Sequence, residues 1–159
     1  MGYSLTIGEL KHEITDDKLE TEIYSYAEDV TLPNSPSYGE PTDYTNSRWP
    51  SYTSWGMAME FVGLNDFMYN KKTGLLRDHP GCVPLVKEHK EIIDKAHIDF
   101  YKKYPNCKPG FSPKLNDRLG IYEDSEWPEE NMWAVRLEWL KFWVDWSLEN
   151  CKVPVFHNT

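Results

Sequence analysis

The chain has 159 residues, a net charge of −9 from 17 lysines and arginines against 26 aspartates and glutamates, and seven Trp, ten Tyr and six Phe. That length suits one domain, residues 1–159, and the rings supply enough burial area for a compact core despite a mean hydropathy of −0.67. The negative excess argues against binding of nucleic-acid polymers, and the most apolar stretch, 132–148, carries Arg136, Glu138, Lys141 and Asp145, too costly for a membrane span.

At the amino terminus, Met1 to Thr6 has neither a basic leader nor a long apolar run, so export by a signal peptide is not expected and a cytoplasmic location is. Gly2 with Thr6 fits the loose myristoylation pattern, but no polybasic patch follows to give a second membrane signal. Tyr3, Leu5 and Ile7 alternate with Ser4, Thr6 and Gly8, and residues 21–26 form a second extended candidate. Together they predict a small amino-terminal antiparallel sheet, although Leu10, Ile14, Leu19 and Ile23 also fit a helical spacing. Pro33, Pro36, Pro41 and Pro50 then mark residues 32–50 as a long loop.

Three helices follow. Ser51 or Ser54 caps the first, which runs through Trp55, Met59, Val62 and Phe67 and stops near residues 70–74. Gly56 and Gly63 share one face of it, where another backbone could approach. The second has Pro84 in its first turn and a stripe of Leu85, His89, Ile92, Ile93, Ala96, Phe100 and Tyr104, with i,i+4 charge pairs opposite. A connection broken by Pro109, Gly110, Pro113 and Gly120 leads to the third, which starts at Pro128 with Glu129 and Glu130 at its positive end. This last helix is apolar over most of its surface, so it needs cover on two sides, from its own loops or from another subunit. Homo-oligomerisation through Trp139, Phe142 and Trp146 is the second of those expectations. The whole reads as an α+β, mainly helical domain, three helices around an aromatic core with Pro-rich loops.

Phosphate-loop, nucleophile-elbow, zinc-protease and dinucleotide-binding signatures are absent. Cys82, Cys107 and Cys151 are odd in number and widely spaced, which indicates neither a disulfide framework nor a zinc ribbon, and no metal or cofactor is expected. Of the five histidines, His12, His79, His89, His97 and His157, His89 falls on an apolar stripe as a core imidazole would. Asp94 and His97, at i,i+3, would need Glu60 or Glu138 to complete a helical metal site. His79 stands three residues before Cys82 in a turn.

The richest segment is 43–55, where Asn46, Arg48, Trp49, Tyr52 and Trp55 gather at a loop-to-helix boundary. Arginine forks onto anions, a helix start favours them, and Trp or Tyr stacks on flat rings. With Lys72, Arg77 and His79 these residues make a candidate pocket for a compact anionic ligand, such as a signalling nucleotide captured without catalysis, as a viral sequestering protein would do. The alternatives are a protein-interaction module or inhibitor with acidic and aromatic surface, and a small enzyme built on His79 or His89.

Overall fold

The computed structural model describes residues 1–37, 43–111, 115–116, 121–122 and 127–159. Among these residues the framework is a curled antiparallel half-barrel of five strands, accompanied by four helices. The expectation of a mainly helical fold is therefore corrected.

Strand β1 (Leu5–Asp17) pairs with β2 (Glu20–Ala27) in a long hairpin, with Ile14 opposite Ile23. The helical spacing of Leu10, Ile14, Leu19 and Ile23 is overridden by this pairing. The first part of β1 also pairs with β3 (Ser47–Arg48) and with β7 (Pro154–Asn158), and β7 in turn pairs with β4 (Gly81–Pro84). The main path is β2-β1-β7-β4. Both β4 and β7 are short and carry proline at a strand end, so their sequences look like turns; Pro84 closes a strand instead of opening a helix. A two-stranded ribbon, β5 (Leu115–Asn116) with β6 (Ile121–Tyr122), lies within the stretch read as an open connection.

Ser51 caps helix α1 (Tyr52–Phe61) by accepting from the Ser54 amide at 3.1 Å. The predicted first helix is split: the chain turns at Gly63, whose φ of +79° suits glycine, and restarts as α2 (Asn65–Tyr69). Gly56 meets the Tyr69 hydroxyl, not a backbone. Helix α3 (Lys87–Lys103) is followed by α4 (Glu129–Asn150), the longest element and the centre of the core.

α4 packs on β1 and β7 along one side and on α1 and α3 along others. Trp139 and Trp143 are wholly buried, Trp139 edge-on to Trp55 with its indole N–H donating to the Thr45 carbonyl at 3.0 Å. The second cover that this helix needs comes from the sheet. Of the three rings on the face expected to meet another subunit, Trp139 is buried within the chain, and Phe142 and Trp146 are half-buried beside Trp143. No helix is long and apolar enough to cross a membrane among the described residues.

Candidate functional site

Alternation along a strand sends successive side chains to opposite faces. On β1, Leu5 and Ile7 enter the core while Thr6 turns to the other face, and on β7 Phe156 enters while His157 turns out with it. Register sets Ser47, Thr6, His157 and Cys82 in one row across β3, β1, β7 and β4. The hairpin brings Tyr24 and Tyr26 over this row, and a cleft of about 290 Å³ opens between them, with Glu13, Asp29 and Trp49 also on its wall. That is near the lower end of the roughly 300–1,000 Å³ of small-molecule sites.

The floor is wired in one direction. Ser47 Oγ donates to the Asp29 carboxylate at 2.7 Å, so at 2.9 Å it accepts from Thr6 Oγ1. Thr6 and Ser47 are both buried, and their remaining capacity is for accepting. The Tyr24 hydroxyl lies 3.2 Å from His157 Nε2, and the Tyr24 and Tyr26 rings stack at 6.0 Å between centroids. Trp49 stands 70% exposed at the rim, held by the buried Pro50 that follows it. A flat ring thus stands in water beside buried hydroxyls.

Burial holds the His157 imidazole below its usual 6.5. The folded cleft keeps it neutral at a pH where the unfolded chain already takes up a proton, so stability is complete above about pH 6.5 and falls as pH drops toward the depressed folded value. Burial shifts His89 in the same direction. The urea midpoint is expected to decline between about pH 7 and 5, with part of that slope removed in His157→Gln.

The residues grouped from sequence do not form one pocket. Asn46 is buried between strands, where it donates to the Ile7 and Glu28 carbonyls. Arg48 lies on the core face, ion-paired to Asp43 at 2.6 Å and stacked over Trp139. Trp55 is in the core, Lys72 is on an exposed turn, and Arg77 lies 3.9 Å from Asp78. Tyr52 and His79 do meet, 3.0 Å apart, away from the cleft. Only Trp49 joins the cleft. Thr6, Ser47, Asp29, Tyr24, Tyr26 and His157 were missed, because cross-strand register assembles them and no local motif does.

His97 and Tyr101 both reach Glu138, at 2.7 and 2.6 Å, but Asp94 is taken by Lys90 and Lys141. Among the described residues no cluster of three or more metal-ligating side chains occurs. The three thiols are free, and burial raises each of them, Cys107 to about 11. Comparison of the chain with protein-family models, curated proteins and solved structures finds no match.

Proposed function

We propose that the chain is a binding protein that captures a compact ligand rich in hydroxyl or amino donors, with a flat face for Trp49. The observation that carries this reading is the directed chain Thr6–Ser47–Asp29 under an exposed Trp. The protons of Thr6 and Ser47 are already committed, so this part of the floor offers acceptors and suits a ligand that brings protons to it. Two carboxylates, Glu13 and Asp29, line it and no lysine or arginine does among the described residues. An anion would meet repulsion there, which favours an uncharged or cationic ligand, such as a nucleoside, a sugar or an amino sugar, over the nucleotide expected from sequence.

Calorimetry with nucleosides, their monophosphates, neutral sugars and amino sugars tests this. Binding is expected to an uncharged or cationic member, to weaken when a phosphate is added, and to fall about tenfold to a hundredfold in Trp49→Ala, the range of a lost ring stack. Ser47→Val should weaken it as well, by interrupting the hydroxyl chain. No heat with any class, or binding indifferent to both changes, would overturn the reading.

One feature favours the interaction-module alternative. Ile14, Ile23 and Leu19 are 68%, 67% and 96% exposed on the hairpin, beside Asp16, Glu20 and Glu22. An apolar arm edged with carboxylates suits a basic, apolar groove on a partner protein. That arm would bind in parallel with the cleft, and an Ile14→Ser/Ile23→Ser variant should leave ligand heat unchanged while abolishing any such association.

A further inference from the structure

Asn158 alternates with His157 along β7 and so points to the opposite face, where it is completely buried. Its amide nitrogen donates to the carbonyls of Asp78 and Gly81, at 3.0 and 3.4 Å. Those two acceptors fix the amide orientation, since the flipped group would set oxygen against oxygen. Asn158 Oδ1 is consequently the atom that faces His79 Nδ1 at 2.6 Å, and an amide oxygen only accepts. His79 therefore carries its proton on Nδ1. The lone pair is left on Nε2, which lies 3.0 Å from the Tyr52 hydroxyl.

We propose that Tyr52, His79 and Asn158 form a nucleophilic site that accepts an acyl group from an activated ester. A weak nucleophile gains reactivity when a base accepts its proton and a third group holds that base in the right tautomer. Here the tyrosine hydroxyl is the nucleophile, His79 Nε2 the base and Asn158 the positioning residue. Tyr52 is 37% exposed and His79 is at the surface, so an electrophile can reach both. Tyr3 packs edge-on against both rings, with centroids at 4.6 and 5.0 Å, and limits their rotation.

Among the described residues no lysine or arginine forms a hydrogen bond or ion pair with these three. Phosphoryl transfer depends on cations around the moving group, so an acyl donor is the better match. In the step, Tyr52 Oη bonds to the acyl carbon as the ester C–O bond breaks. The hydroxyl proton passes to His79 Nε2 and is then lost to the leaving oxygen or to water.

The hairpin supplies an internal control. Tyr24 also has a histidine nitrogen at 3.2 Å, but Nδ1 of that residue, His157, has no hydrogen-bond partner among the described residues. With p-nitrophenyl acetate as the probe, phenolate release is followed and the acetyl group located by peptide mass spectrometry. Tyr52 is expected to acquire acetyl about tenfold to a hundredfold faster than Tyr24, and Tyr52→Phe to remove that label. His79→Gln keeps an acceptor for the hydroxyl but no base, and should slow the labelling by about a hundredfold. Nitrogen-15 shifts of the His79 ring should report the Nδ1–H tautomer, a signature that simple packing does not require. Equal labelling of Tyr52 and Tyr24, or a rate unchanged in folded His79→Gln, overturns the proposal.

Discussion

Arg48→Ala is expected to lose about 3–5 kcal/mol of stability in chemical denaturation, the typical result of removing one partner from a buried ion pair. The side chain is 3% exposed and Asp43 only 16%, so their separation at 2.6 Å lies out of bulk water. The guanidinium also donates to the Ser47 carbonyl at 2.5 Å and the Asp43 carbonyl at 2.7 Å, and it covers the Trp139 ring at 5.6 Å. Its loss strands a carboxylate and two backbone acceptors and opens space beside the central tryptophan. Adding Asp43→Ala should recover part of the deficit, because the stranded charge goes with it. A single-variant loss below about 1 kcal/mol would show that the pair is solvated and not part of the core.

Asn46→Ala should be similarly severe, at about 3–5 kcal/mol, from several buried backbone groups at roughly 1–3 kcal/mol each. One side chain ties three segments: its oxygen accepts from the Val30 amide at 2.8 Å, and its nitrogen donates to Ile7 and Glu28 at 2.8 Å. Gly8 lets this amide approach, since a Cβ there would lie 3.0 Å from both the Asn46 nitrogen and the Glu28 carbonyl. Asn46→Asp discriminates well. It retains the shape but has no N–H to donate, so it should be about as damaging as alanine, and equal stability to the native chain would refute the tie.

These two residues explain why the site was harder to see than the helices. Helical spacing, the Ser51 cap and the Pro128 start are local signals, and α3 and α4 lie close to where those signals put them. The alternation of Leu5 and Ile7 marked a strand, but its partners there are β3 and β7, and β2 pairs instead with residues 10–17, where helical spacing obscured the strand. Strands β4 and β7 were not, because four or five residues bounded by prolines have too little alternation to register. Without them, the all-round apolar surface of α4 pointed equally to another subunit. The segment 43–55 was correctly dense in polar and aromatic groups, but a loop sequence does not reveal which groups turn inward. Asn46 and Arg48 serve the fold, Tyr52 meets His79, and Ser47 and Trp49 reach the cleft.

The pairing of β1 with β7 sets the order in which this molecule can assemble. Leu5 is opposite Asn158 and Glu9 opposite Pro154, so the first strand of the sheet finds its central neighbour only at the far end of the described chain. Contacts of such sequence separation carry a large loop-closure cost before they return any stabilisation, and they slow folding. During synthesis the β1–β2 hairpin can form early, but its floor residue Thr6 has no His157 beside it and its core residues Leu5 and Ile7 have no α4 to cover them. The nascent protein therefore holds an open, uncovered sheet until β7 leaves the ribosome, and the cleft comes into being only when β7 docks beside β1.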